Sequence, residues 1–354
     1  MPELVLGLTL FLNFTLPESI GMPDIIVIGD INADVILTIP AYPRPGGEAV
    51  AATVKIHTGG SAVNTAVALA KMDMEVGFIG RIGKDALANQ ILADLGESGV
   101  DGTHIQTDPK VNTGLIFIAV TVDGERTMFG ARGANTFTEA SAIDPAYFVN
   151  CRWIHLSGYS FLSYHQHETT LMALELAKNS PYTRVSLDIG TEPALRARSQ
   201  IMDVLPKLDV IFPNETELAI LTEGRSIEAG LDYLLDGRTN AVVAKRGHKG
   251  SILAVGNKRV SLPAFNINVK DSTGAGDSFN AGVVLGRLVG LSWEASAALG
   301  NALGGLATSQ EGGVASSISR SSVARLIEKH LFHEEWAPVR YALEELAAYF
   351  EGAL

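Results

Sequence analysis

The sequence of 354 residues holds a single cysteine, Cys151. One thiol cannot close an intrachain disulfide or build a multi-cysteine zinc site or an iron–sulfur cluster, so a reducing, cytoplasmic setting is the expectation. Positive charge is also scarce: 27 Lys+Arg stand against 39 Asp+Glu, a net charge of −12. A duplex nucleic-acid partner would need basic surface to displace counterions, and is excluded. Only 19% of the residues are charged and 47% are hydrophobic, which excludes a disordered chain. The one long apolar run, around Leu4 to Leu16, lacks a basic n-region, is flanked by Glu3 and Glu18 and falls short of a bilayer span, so no membrane partner is expected. Residues 1–23 read as an N-terminal tail, either optional or the product of an upstream start, with Met22 just before the first expected strand. Internal repeats and low-complexity linkers are absent. So is a G-x-G-x-x-G after the first strand, where Gly29-Asp30-Ile31-Asn32 stands instead, and this weighs against a dinucleotide-dependent dehydrogenase. His155, His165, His167 and His248 show no metal spacing and read as structural or surface residues.

From Asp24 onward, β-branched runs (Ile25–Ile28, Val76–Ile79, Trp153–Leu156, Arg184–Leu187, Val210–Phe212, Ala241–Ala244) alternate with stretches of helical period (Ser61–Lys71, Asp85–Ser98, His165–Lys178, Glu215–Leu221). Apolar strands covered on both faces and separated by helices predict an α/β fold: a three-layer sandwich around a mostly parallel central sheet, with ligands at the carboxyl ends of the strands. Two segments, about 36–57 and 111–130, alternate in polarity instead and contain Pro40, Pro43, Pro45 and the turn Asp123-Gly124. They read as antiparallel hairpins inserted into the domain, forming a small β-sheet lid or an ordinary peripheral sheet. The main domain is expected over 24–319 and a helical extension over 320–354. Val339, Leu343, Leu346 and Phe350 share one face of the extension, as in a packing or dimer helix.

The sharpest signal is Asp271-Ser272-Thr273-Gly274-Ala275-Gly276-Asp277-Ser278-Phe279, entered by a strand-like lead over Phe265–Val269 and left by a helix rich in small residues. Gly274, Ala275 and Gly276 fall at a helix N-terminus, where unpaired N–H groups and the macrodipole favour an anion and bare backbone admits a phosphate. Asp277 lies in the first turn beside that seat, where a carboxylate can take a proton from an attacking hydroxyl. A tight turn with an Asp cap would explain the Asp alone, but not the whole string.

At this string the sequence resembles the ribokinase-like, or PfkB, carbohydrate kinases, and the likeness runs from about Asp24 to Ser319. A second stretch, Gly59-Gly60-Ser61-Ala62-Val63-Asn64-Thr65-Ala66 followed by Gly77 to Gly83, resembles the family's other signature. The resemblance implies a ribokinase-like fold and an ATP-dependent phosphotransferase acting on a primary hydroxyl. It places Asp277 as catalytic base and Gly274, Ala275 and Gly276 as the anion hole. Asn32, Asp34, Gly59, Gly60 and Asn64 would hold sugar hydroxyls, and Arg132 in Arg132-Gly133-Ala134-Asn135 would reach a substrate anion or the transferring phosphate; a surface arginine beside a glycine turn is the plainer alternative.

The same resemblance gives Asn214 and Glu217 to magnesium, held through water near the nucleotide phosphates. A capping box at a helix start describes this pair equally well. Lys245, Gly247 and Gly250 match the family's nucleotide loop, and Asn301 lies on the helix that borders adenine in relatives. Asp271, Thr273, Gly312 and Ser316 resemble a monovalent-cation loop, which makes potassium an expected activator.

Two departures bear on the substrate: ribokinases proper have a lysine where Ser61 stands and a glutamate at the end of the strand that here reads Ile154 to Ser157. Their loss weighs against ribose. The first expectation is a kinase of a monosaccharide or sugar acid. The alternatives are a nucleoside kinase, with Phe117, Phe129, Tyr159 or Phe161 forming a base slot, and a sugar-sensing protein without turnover. Exposed lid edges make a homodimer the default.

Overall fold

The computed structural model describes residues 22–309 and 318–352. The expected N-terminal tail therefore lies, up to Gly21, outside the described residues, as do Gly312 and Ser316. The strands are β1 (Ile25–Ile28), β2 (Asn32–Ile39), β3 (Thr53–Gly59), β4 (Val76–Gly83), β5 (Val100–Asp101), β6 (Ile105–Asp108), β7 (Gly114–Thr121), β8 (Arg126–Ala131), β9 (Trp153–Ser157), β10 (Arg184–Asp188), β11 (Val210–Phe212), β12 (Ala241–Lys245), β13 (Ser251–Val255) and β14 (Lys258–Leu262).

The main sheet runs in the order β14-β13-β12-β11-β10-β9-β1-β4-β5, with β6 continuing alongside β4. From β12 to β5 all pairs are parallel, while β13 and β14 close one edge as an antiparallel hairpin. β1 sits inside the sheet because Ile25 to Ile28 can be buried on both faces: Ile25 and Val27 enter one core layer, Ile26 and Ile28 the other. The first layer is covered by helices Ser61–Ala70, Ala86–Glu97, Ala275–Leu288 and Trp293–Ala307, the second by Tyr164–Lys178, Glu215–Leu221 and Ile227–Leu235. This is the three-layer α/β sandwich the alternation predicts.

The small sheet has the order β3-β2-β7-β8 and differs in one respect from the expected hairpins: its central pair, β2 and β7, is parallel, and only the outer pairs are antiparallel. β2 follows β1 within four residues, and β7 follows β6, which runs parallel beside the last residues of β4, the neighbour of β1, so both enter from the same end. Strand alternation gives this sheet two unlike faces. Asp34, His57 and Ile116 share one, and Val35, Ile56, Phe117 and Phe129 the other.

The C-terminal extension packs on its own chain. Val339, Leu343, Leu346 and Phe350 are buried with Trp336 in the first core layer, and Glu345 accepts from the Ser292 N–H and hydroxyl at 2.6 Å each, at the N-cap of the 293–307 helix. Its apolar face is thus spent inside the chain, which answers the packing-or-dimer question in favour of packing.

Candidate active site

The parallel strands deliver polar side chains to one edge of the sheet. Asp30 and Asn32 follow β1, Ser157 ends β9, Asp188 ends β10, Asn214 follows β11 and Lys245 ends β12. Facing them is the start of the 275–288 helix. Gly274 turns into it at φ +73°, a left-handed conformation that a side chain would strain by about 1 kcal/mol. Ser278 N–H closes on the Gly274 carbonyl at 2.9 Å, but the N–H groups of Gly276 and Asp277 meet no acceptor among the described residues. They form an open donor pair at the positive end of a 14-residue helix.

Asp277 stands in that first turn, half-buried. Its Oδ2 accepts from Asn64 Nδ2 at 2.7 Å, and Thr65 Oγ1 donates to its carbonyl at 3.2 Å, so the helix opened by Gly60 and the helix opened by Gly274 are tied at the carboxylate. Burial, then the nearby Asp188 and Asp34 charges, push the Asp277 carboxyl up to about 7 against the pull of Asn64 and Lys245. A base that titrates near neutrality suits proton abstraction at physiological pH.

Lys245 does not project into a solvated loop as its run of basic neighbours suggests. Its Nζ donates to Asp188 Oδ1 at 2.7 Å and lies 3.5 Å from Asn280 Oδ1. Burial opposes ionisation of both partners, yet the pair outweighs it, holding Asp188 below and Lys245 above their ordinary ranges. A Cβ built on Gly276 would stand 3.6 Å from this ammonium, which places the cation beside the open donor pair.

Asn214 and Glu217 form the capping box: Glu217 Oε2 accepts from Asn214 N–H at 2.9 Å and Asn214 Oδ1 from Glu217 N–H at 2.9 Å. Glu217 Oε1 also takes Asn214 Nδ2 at 2.8 Å and Thr191 Oγ1 at 3.2 Å. Burial, with Asp188 adding to it and Lys245 opposing it, raises the Glu217 carboxyl. Both its oxygens are engaged, so this donor set fits a hard cation that keeps its waters better than one stripped of them. Among the described residues no cluster of three His, Cys, Asp or Glu forms a protein cage.

On the sugar side, Asp34 Oδ1 is buried and has no hydrogen-bond partner among the described residues, and burial raises this carboxyl to about 6. Gly59 makes room for it, since a Cβ there would lie 2.1 Å from Asp34 Oδ2. His57, on β3 directly opposite Asp34, also has a buried Nε2 with no partner among the described residues. Asn32 is oriented by Asn135, whose Nδ2 donates to Asn32 Oδ1 and to the Ile31 carbonyl at 2.9 Å each while its Oδ1 accepts from Ile31 N–H at 2.8 Å. Arg132 is committed elsewhere than expected. Its guanidinium forms a bidentate pair with Asp30, Nε to Oδ2 and Nη2 to Oδ1 at 2.8 Å each, and also bonds Gln166, which itself donates to Asp30 at 2.8 Å. It braces the end of β1 instead of standing free for a substrate anion.

Beyond the open donor pair lies a cavity of about 600 Å³ lined by Lys245, Gly247, Gly250, Ala275, Gly276 and Asn301, with Phe265, Ile267 and Val269 as apolar wall and Glu335 contributed by the C-terminal extension. Asn301 Nδ2 donates to the Pro263 carbonyl at 3.0 Å. The expected strand over Phe265–Val269 is absent: residues 263–269 run outside both sheets as cavity wall, beginning at Pro263, which has no N–H to offer a ladder. Of the residues assigned to a monovalent cation, Asp271 and Thr273 are engaged by Arg126 of β8. The aromatic slot for a base is also reduced: Phe117 and Phe129 lie on the face of the small sheet opposite to Asp34 and are exposed, and Phe161 is buried in the second core layer. Tyr159 remains near Asp188 and Asp30, whose charges, after burial, raise its hydroxyl pKa.

The sequence alone marks no role for Asp30, Asn135, Asp188, Gln166 or His57. Asp188 carried a usable signal, a carboxylate ending an apolar strand next to the Asn214 strand. Gln166 and His57 carried none, because a helix and a peripheral strand bring them in from afar.

The chain matches the family model "pfkB family carbohydrate kinase" over residues 22–320. Similar proteins include the ribokinase of Haemophilus influenzae, 28% identical over 85% of this chain and 97% of that one. The deoxyribokinase of Salmonella typhi is 31% identical over 72% of this chain and 83% of its own. The structure described as a putative ribokinase II from E. coli in complex with ATP and Mg2+ superposes with a TM-score of 0.79 over 87% of this chain and 100% of its own; at 22% identity it shows the shared fold. The chain belongs to the pfkB family of carbohydrate kinases and is an ATP-dependent enzyme of that class.

Proposed function

We propose that this kinase phosphorylates the primary hydroxyl of a neutral monosaccharide. The observation that carries the proposal is the placement of Asp277, in contact with Asn64 on the sugar side and one residue from the open N–H of Gly276 on the cavity side. Asp34 and Asn32 are acceptor and amide groups matched to hydroxyls, with Asp34 Oδ1 lacking a donor among the described residues. The bidentate Arg132–Asp30 pair withdraws the cation that a sugar acid would call on, which favours a neutral substrate.

In this reading Asp277 takes the hydroxyl proton as the sugar oxygen bonds to the γ-phosphorus of ATP and the bond from that phosphorus to the β-phosphate oxygen breaks, so that ADP leaves with the electron pair. The N–H groups of Gly276 and Asp277, with the Lys245 ammonium behind them, face the charge spread over the transferring phosphoryl oxygens. Gly247, Gly250 and Asn301 border the base and ribose of the nucleotide. Magnesium would be held through water by Asn214 and Glu217 and would offset phosphate charge. The small sheet acts as a lid whose Asp34 face closes over the sugar and excludes water. Its opposite face exposes Val54, Ile56, Phe117 and Phe129, a patch consistent with a homodimer through the lid. No helix among the described residues is long and apolar enough to cross a membrane.

The test is an ADP-release screen over pentoses, hexoses, keto-deoxy sugar acids and nucleosides. Turnover confined to neutral sugars supports the proposal; preference for a sugar acid or a nucleoside overturns it.

A further inference from the structure

Arg126 opens β8, and its register against Val120 of β7 sets it on the same face of the small sheet as Asp34. From there its guanidinium crosses to the segment that leads into the open donor pair. Nη2 donates to Asp271 Oδ1 and Nη1 to Thr273 Oγ1, both at 2.6 Å. Asp271 is 8% exposed, and the same Oδ1 accepts from Thr273 N–H at 2.8 Å. That carboxylate therefore sets the turn Ser272–Gly274, and with it the direction of the N–H groups of Gly276 and Asp277. Of the two described residues that a monovalent cation would use, both already face a fixed positive charge, and a second cation against the same oxygens would be repelled by the first. With the lid seated, these two residues do not fit a bound potassium ion.

We infer that Arg126 is a positioning residue that supplies the positive charge of this loop from the lid. The seating of the small sheet and the aim of the open donor pair are then one event, because the two charge-assisted hydrogen bonds form only when β8 lies over Asp271. Lifting the lid removes the guanidinium from a buried carboxylate and releases the turn it fixes. The phosphate seat is thus completed only once the lid closes, which discourages transfer to water before a sugar is enclosed. This inference rests on the kinase reading of the site.

The test compares wild type with Arg126→Gln and Arg126→Lys in potassium chloride and in choline chloride of equal strength, and follows hydrogen exchange over residues 114–131 in the absence of substrates. Expected are wild-type rates equal in the two salts and a loss of about tenfold or more in kcat for Arg126→Gln with a smaller change in the KM for ATP. Arg126→Lys should recover part of that loss, and exchange in the β7–β8 hairpin should quicken in Arg126→Gln. A wild-type enzyme that needs potassium, or an Arg126→Gln enzyme with unchanged kcat and unchanged exchange, overturns the inference. The exchange measurement requires no turnover, so a failure of the Asp277 base assignment would leave its result standing.

Discussion

Replacing Asp277 by Asn should move activity and stability in opposite directions, and the structure sets both magnitudes. The amide is isosteric and can still accept from Asn64 through its oxygen, so the hydrogen bond at 2.7 Å has a counterpart, while the proton acceptor is gone. Loss of a general base lowers kcat by about 10²–10⁴-fold. ATP affinity should hardly change, because the cavity that would take the nucleotide is lined by Gly276 and Lys245 and not by this carboxylate. The wild-type kcat/KM should fall about tenfold per pH unit from the Asp277 value of about 7 down to about 6, where protonation of Asp34 steepens the fall, and the variant should lack the limb at 7 and keep only the one near 6. Stability follows from the same shift. The folded-state value is raised from 3.8 to about 7, so the fold holds the proton more tightly than the unfolded chain does. Carrying the charge thus costs stability that is absent below about pH 4 and grows as pH rises to 7, reaching up to about 4 kcal/mol at 1.36 kcal/mol per unit. Asp277→Asn should therefore melt higher than wild type at pH 8 and equally at pH 4, in calorimetry alongside steady-state kinetics. A variant that turns over normally, or one that melts lower at pH 8 than at pH 4 relative to wild type, refutes the reasoning.

Lys245→Met leaves Asp188 buried without its partner and should destabilise by about 3–5 kcal/mol, read by urea unfolding; adding Asp188→Asn should restore part of this. Gly59→Ala forces a Cβ to within 2.1 Å of Asp34 Oδ2, and because a side chain can yield where backbone cannot, the outcome should be a displaced Asp34. The KM for the sugar should then rise about tenfold or more with the Tm nearly unchanged. Burial holds Asp34 at about 6, so sugar affinity should weaken as pH falls through that value and the acceptor is protonated, measurable by calorimetric titration; Asp34→Asn should flatten the dependence.

What the sequence disclosed and what it withheld divide along physical lines. The parallel strands were legible because burial on both faces leaves continuous apolar runs such as Ile25–Ile28, and the Glu215–Leu221 helix because Asn214 and Glu217 cap it. The Asp271–Asp277 string was legible because a turn, a donor pair and a carboxylate are all local. The parallel pairing of β2 with β7 was not, since alternation in polarity is the same for either direction. Nor was the engagement of Arg132 with Asp30 and of Arg126 with Asp271, because each ion pair joins residues about a hundred or more positions apart and nothing local marks the partner. The strand expected over Phe265–Val269 failed for a related reason: its apolar side chains face a cavity, and burial against a ligand pocket leaves the same signature as burial in a sheet.

Phosphoryl transfer here turns on one arrangement, a carboxylate placed between an enclosed sugar hydroxyl and an open backbone seat for the moving phosphoryl group. A crystal structure of the ternary complex with a nonhydrolysable ATP analogue and the preferred sugar tests it most directly. The primary hydroxyl should lie within about 2.6–3.2 Å of an Asp277 carboxylate oxygen, and the γ-phosphate oxygens on the N–H groups of Gly276 and Asp277. An Asp277 side chain turned from the hydroxyl, or a γ-phosphate seated away from that helix start, would contradict it.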